Sequence, residues 1–307
     1  MGIPIDKVAG AVKMGAAASG EADVPVRVGV YVDGSATAFL IDTVREAFVP
    51  QTTGALVRVE RLTGEEVSVK PDTDVAVVIS CGSEHLQAAV QRIVVAGAPT
   101  VVLAESSVEV PFIPQDTRML GLIAATDGAY LLDALSRWIL DRTEKGTAFA
   151  ANFPFMRVAA ANRAIASTAF TNLATGALVF IPGADFPVMT LAQVGMMMQL
   201  AAIYGKPIRA ERGYEAAGVV AAALALRGGA RLACRSAGRA GFAVKALVGG
   251  LGTFAMGRAL VALYEHDVDY SAANEALGGL FRRVRSVVAG AAGDDGAVCD
   301  RAERADA

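Results

Sequence analysis

The chain has 307 residues, a mean hydropathy of +0.44, only 6% aromatic residues and a formal net charge of −3. That length allows two domains with cores of their own, and an apolar excess made largely of Ala and Val argues against a disordered chain. The charge is unevenly spread: residues 1–150 hold 12 Lys/Arg against 19 Asp/Glu, residues 151–290 hold 14 against 7, and residues 291–307 hold 2 against 5. A basic, apolar second half beside an acidic first half points to an anionic membrane surface or to docking within the chain. Nucleic acid is not an expected partner, because the basic half lacks clustered Lys/Arg interleaved with aromatics. Cys81, Cys234 and Cys299 are widely separated without a C-x-x-C, which fits a reducing cytosol rather than a disulfide framework or zinc site. His85 and His266 are the only histidines, so neither a His-based metal cluster nor any cofactor is expected. No basic-then-apolar secretory pattern opens the sequence, and Asp6 stands where myristoylation after Gly2 wants Ser or Thr.

Residues 1–24 read as an N-terminal segment in which Ile5, Val8 and Val12 space like a short amphipathic helix. From Val26 the period changes. RVGVYV at 27–32 is a buried strand by its β-branched content, DGS at 33–35 turns the chain, and 38–48 reads as a helix with Phe39, Leu40, Val44 and Phe48 inward. Residues 55–62 alternate as a strand, with 67–69 expected to pair beside them. Residues 74–80 and 99–104 are further buried strands around a helix at 84–96, and a fourth such strand at 119–124 leads to an amphipathic helix at 128–142. Buried runs alternating with amphipathic helices predict a three-layer α/β domain at 25–146 with an open, mostly parallel sheet.

Beyond Lys145 the strands stop. Residues 150–289 read as an all-α domain with helices at 157–180, 188–204, 213–227, 242–265 and 271–288, broken at Gly228-Gly229, and residues 290–307 as a solvated tail. No internal repeat is visible. The centre of this half is 164–206, where two runs of about twenty residues lack formal charge. The breaker IPGADFP interrupts them once, at Asp185. Pro182, Gly183 and Pro187 predict a tight turn between two helices. Arg157 and Arg163 precede the first run, and Lys206, Arg209 and Arg212 follow the second, the flanks expected of a hairpin inserted from the cytosolic side, re-entrant or spanning. A soluble bundle burying both runs against 242–265 accounts for the same apolarity.

In order and spacing, residues 27–142 resemble a small Ras/Era-type GTPase domain. DVAVVIS, the helix after it and APTVVLAES are similar to the strand–helix–strand that ends in a guanine-reading loop, and MLGLIAATDGAYLLDALSRWI to the last strand and closing helix. The chemistry is missing. Gly29 and Gly34 keep the G-x-x-x-x-G spacing of a phosphate loop, but Ser35 and Ala36 stand where Lys and Ser/Thr belong, and Asp33 adds a repelling carboxylate. Leu103-Ala104-Glu105-Ser106 fills the base-reading position without its Lys or Asp, and no Asp-x-x-Gly precedes Asp74. The expectation is a GTPase-like scaffold that holds no nucleotide, with an atypical NTP-binding protein as the alternative. A rival site is Ser80-Cys81-Gly82-Ser83-Glu84-His85, at a strand's carboxyl end and a helix start. There a cysteine-dependent enzyme would need Cys81 activated by His85, but no orienting third group is evident.

The second half, over about 155–270, resembles the YcjF-like domain of unknown function that follows GTPase domains in bacteria. The resemblance rests on Ile181-Pro182-Gly183-Ala184-Asp185, Leu191, Gln193, Met197, Tyr204-Gly205, Lys245, Thr253-Phe254-Ala255-Met256-Gly257 and Tyr264. It implies association with membranes and with GTPases or other protein partners, at the inner face of the cell membrane, and no catalytic residue. Met196-Met197-Met198 face three ways around a helix and are expected in the core. Gln193 and Gln199 are expected in interhelical hydrogen bonds, and Arg163 and Asp185 at helix borders. The expected function is that of a non-catalytic, membrane-associated adaptor or regulator.

Overall fold

Runs rich in Val, Ile and Thr that are apolar on both faces can satisfy backbone and side chains together only inside a parallel sheet covered by helices. The computed structural model describes residues 17–18, 20–63, 67–178, 185–206 and 241–266, with positions 218 and 221. It has five strands: β1 (Val26–Asp33), β2 (Ala55–Leu62), β3 (Val75–Ile79), β4 (Thr100–Ala104) and β5 (Leu120–Ala124). Their order is β2-β1-β3-β4-β5 and every pair is parallel. This is the flavodoxin-like doubly wound order, whose chain direction across the sheet reverses between β1 and β3. Both β3 and β4 are buried along their whole length.

Helices α1 (Ala38–Ala47), α2 (Leu86–Val95) and α3 (Gly128–Arg142) cover the sheet. A smaller core, with Tyr31, Val78, Val102, Leu86 and Ile93, lies on the α2 side, and a larger one takes Leu40, Val44, Val77, Leu103, Leu131 and Leu135. Residues 67–69 do not pair with β2. Lys70 and Thr73 close a turn around Pro71 (Thr73 N–H to Lys70 O, 3.0 Å), and Val67 and Val69 pack on the smaller core without a ladder.

The larger core runs without a break into the second half. Helix α4 (Gly146–Asn152), which no periodicity signals, has Thr147 to Asn152 all buried, and Phe48 meets the Phe153 and Phe155 rings edge-on, each at 5.1 Å. Asn152 ties the two halves: its Oδ1 accepts from Thr52 Oγ1 at 2.6 Å and its carbonyl from the Gln51 N–H at 3.0 Å. The expected 146–150 boundary therefore crosses a shared core. Arg163 adds a second tie, donating from Nη1 to the Leu140 carbonyl at 2.6 Å and to Asp141 Oδ1 at 2.9 Å.

Beyond α4 stand three long helices: α5 (Arg157–Leu178), α6 (Asp185–Ile203) and α7 (Gly241–Glu265). Glycines let α7 lie close against α5; a Cβ on Gly257 would stand 2.6 Å from Ile165 Cγ1, and Gly249 faces the Asn172 carbonyl. Met196, Met197 and Met198 are all buried. The segment before residue 17, the helix expected at 213–227 apart from positions 218 and 221, the helix expected at 271–288, Gly228-Gly229, Pro182, Gly183, Cys234, Cys299 and the tail from 290 lie outside the described residues.

Candidate functional site

The carboxyl ends of β1, β3 and β4 meet at the switch point, where open α/β sheets gather their ligands. Gly29 is not part of that loop. It lies inside β1 opposite Arg58 and Ala76, and a Cβ there would come within 2.9 Å of the Tyr31 ring. The G-x-x-x-x-G spacing thus spans most of a strand, leaving only Asp33 to Ala36 in the turn. Asp33, the last residue of β1, is 8% exposed and is enclosed by donors. Its Oδ2 accepts from Ser80 Oγ at 2.6 Å and from Ser35 Oγ at 2.7 Å, and its Oδ1 accepts from the Gly34 N–H at 2.8 Å. Ser35 Oγ also accepts from the Cys81 N–H at 3.0 Å, and Ser80 Oγ from the Gly82 N–H at 3.1 Å. Burial pushes the Asp33 carboxyl up, but the hydrogen bonds from Ser80 and Ser35, with help from Ser83 and the Gly34 amide, outweigh it. The carboxyl is therefore held below its ordinary value. Ser83 acts from close by; its buried Oγ completes no hydrogen bond of normal geometry.

A second carboxylate closes the other side. Thr37 caps α1, its hydroxyl accepting from the Leu40 N–H at 3.5 Å while donating to Glu105 Oε1 at 2.5 Å. A helix N-terminus beside a sheet's carboxyl edge is where an anion is welcome. In this chain Asp33 and Glu105 are the anions, and both come from the protein itself. Ala36 donates its N–H to the Asp33 carbonyl at 3.1 Å, which fixes the turn.

The rival Ser80–His85 site is displaced from its expected position. Helix α2 begins at Leu86, not Glu84, because Gly82 takes a φ of +89° and turns the chain first. Cys81 therefore sits five residues ahead of the helix rather than in its first turn. A Cβ on Gly82 would stand 2.6 Å from the Glu109 carbonyl oxygen, so this turn packs tightly against the loop after β4. His85 is exposed at the rim of a cavity of about 80 Å³ that Asp33, Ser83 and Arg92 also line. Among the described residues no group of three or more His, Cys, Asp or Glu could hold a metal ion.

In the helical half, two of the residues noted above meet a third. Thr253 Oγ1 accepts from Asn172 Nδ2 and from Gln193 Nε2, each at 2.8 Å, and donates to the Gly249 carbonyl at 2.7 Å. All three side chains are buried, and Asn172 Oδ1 and Gln193 Oε1 have no partner. Gln193 thus makes the interhelical hydrogen bond expected of it, and Asn172, a polar residue inside a charge-free run, is the member the sequence reading did not single out. At the base, Tyr204 donates to Glu265 Oε1 at 2.9 Å and packs against Tyr264; burial, then the Glu265 contact, push its phenol well up. Gly205, at φ +63°, ends α6 by letting Gly205 and Lys206 donate back to the carbonyls of Ala202 and Ala201. Asp185 is the first residue of α6.

The far end of the three helices is apolar outside as well as in. Phe170 (71% exposed) and Leu173 on α5, Val188 and Leu191 on α6, and Leu247, Leu251 (65% exposed) and Phe254 on α7 all face outward. Gly249 lies against Asn172 and Met189, while Gly257 lies against Ile165 nearer the sheet, so these side chains share one end. No formal charge occurs at 164–184 or 186–205, and in α7 none lies between Lys245 and Arg258. Among the described residues one helix, Ala246–Glu265, is long and apolar enough to cross a membrane, a statement of length and composition only. It is not an arm of the expected hairpin. Val188–Ile203 is apolar but shorter.

In comparison with known proteins, no family model, no curated protein and no solved structure matches the chain.

Proposed function

We propose that this chain is a non-catalytic, membrane-associated adaptor or regulator: a GTPase-like domain that holds no nucleotide, carried on a YcjF-like helical domain that enters the membrane. The observation that carries the reading is the ring of outward apolar side chains at the far end of α5, α6 and α7. From Arg163 to Leu178 the first arm extends about 22 Å at about 1.5 Å per residue, enough to enter one leaflet of a hydrocarbon core about 30 Å thick. The tip is re-entrant, entering from the cytosolic face, and Arg157, Arg163, Lys206 and Arg258 lie at headgroup depth, where basic side chains favour anionic lipid. The Asn172–Gln193–Thr253 layer faces inward, so the three helices enter together without presenting an amide to lipid. The α/β domain stays on the cytosolic side as the surface for a protein partner, a GTPase among them, and Asp33 and Glu105 at its switch point disfavour a bound triphosphate.

Flotation of the full chain with vesicles of zwitterionic and of mixed anionic lipid tests this. We expect co-flotation that strengthens with anionic lipid and is lost in Phe170→Glu/Leu251→Glu, with the far-ultraviolet spectrum unchanged. A chain that stays at the bottom of the gradient, or a double variant that floats like wild type, overturns the proposal.

A further inference from the structure

The outer edge of the sheet has its own pattern. β2 pairs with β1 on one side and, among the described residues, with no strand on the other. Such an edge offers a row of backbone donors and acceptors and is normally blunted by bulges, proline or inward charge. This one is eight residues long without proline or glycine; its charges, Arg58, Glu60 and Arg61, surround Val59, which is 67% exposed, and they deter pairing unless a partner answers them. Leu56 is exposed on the opposite face.

We infer that β2 is a homodimer interface, pairing antiparallel with β2 of a second copy about a two-fold axis at Val59. The sequence of the edge, ALVRVERL, is self-complementary in that register. Val59 meets Val59, Arg58 meets Glu60, Leu56 meets Leu62 and Val57 meets the aliphatic stem of Arg61 of the second copy, each pair twice or on the axis. Opposite charges directly across an antiparallel pair attract, and like charges repel. A shift by one residue puts Arg58 opposite Val59 or Arg61 and loses the pairing, so one register is selected. Arg58 is held bidentate by Asp72 at 2.7 and 2.9 Å within the chain, so Glu60 of the second copy would add a second carboxylate to an existing pair. The product is a continuous ten-stranded sheet with both β2 edges closed, an isologous contact of the kind most soluble dimers use. Because the axis crosses the sheet edge, this contact uses no residue of the helical tip.

The test is made on the full chain in detergent. Val59→Cys should cross-link to itself under mild oxidation, since Cα atoms directly opposite stand about 4.5–5.5 Å apart, within disulfide reach. Val49→Cys, exposed but off the edge, should not. Sedimentation should show a concentration-dependent dimer, weakened about tenfold or more by Val59→Lys, which opposes two like charges. Glu60→Arg, which opposes two arginines across the axis, should weaken it as well. A chain that stays monomeric, or a dimer that Val59→Lys leaves unchanged and Val59→Cys fails to trap, overturns the inference.

Discussion

Replacing Thr253 by Val removes one hydroxyl and keeps the shape, which isolates the polar layer between α5, α6 and α7. Thr253 Oγ1 is the acceptor for both Asn172 Nδ2 and Gln193 Nε2 at 2.8 Å. Asn172 Nδ2 keeps a second, longer contact, to the Met189 carbonyl at 3.4 Å, which softens its share of the loss. The Gly249 carbonyl, by contrast, loses only an extra donor on the α7 backbone. Each orphaned buried donor costs about 1–3 kcal/mol, and partial rearrangement of the two amides brings the expected loss to about 3 kcal/mol. For a chain of this size that is a fall of about 6–12 °C in Tm. Thermal and guanidinium unfolding of wild type, Thr253→Ser, Thr253→Val and the triple Asn172→Leu/Gln193→Leu/Thr253→Val measure it. Serine should cost about 1 kcal/mol for its missing methyl, and the all-apolar triple should recover much of the valine loss. A valine variant within about 0.5 kcal/mol of wild type refutes the reasoning, since the amides would then have other acceptors.

Other expectations follow from the switch point and the helix contacts. Asp33 is held below its ordinary value, so the stability it lends is fully present above the unfolded carboxyl value of about 3.9 and is lost as pH falls through the folded one. Asp33→Asn should therefore be less stable at neutral pH and lose less on acidification, as unfolding midpoints from pH 7 to the acid limb will show. Titration with fluorescent GTP and Mg²⁺ should give no saturable binding in the micromolar range, and an Asp33→Asn protein that then binds would identify the carboxylate as the obstacle. Gly257→Ala places a methyl against Ile165 and should destabilise by about 1–3 kcal/mol despite the better helix propensity of alanine. Ile165→Ala, which removes the Cγ1 and Cγ2 that the new methyl meets, should make Gly257→Ala nearly free when the pair is measured against Ile165→Ala alone in the same unfolding assay.

The local chemistry of the chain was legible from end to end of the α/β half. RVGVYV, DVAVVIS and PTVVLA are β-branched on both faces, and only a sheet covered on both sides can bury them. AFLIDTVREA and GAYLLDALSRWILDR carry an apolar stripe at helical spacing, so they had to be its covering layers. What no local pattern carries is the choice of neighbours. The order β2-β1-β3-β4-β5 depends on which strands meet across long separations, and it left β2 at the edge. Helix α4 was invisible because every side chain from Thr147 to Asn152 is buried, which erases the periodicity a surface helix shows. Asp33 was visible as a carboxylate in the wrong place for a phosphate, but its enclosure by Ser80 across 47 residues needed β1 and β3 side by side. The apolar hairpin was equally plain in its lack of charge. Packing against 242–265 was one of the two readings the runs allowed; that it holds, through Thr253 reaching residues 81 and 60 positions away, was decided by tertiary contact, because a glycine-lined face states how closely it can be approached and not by which helix.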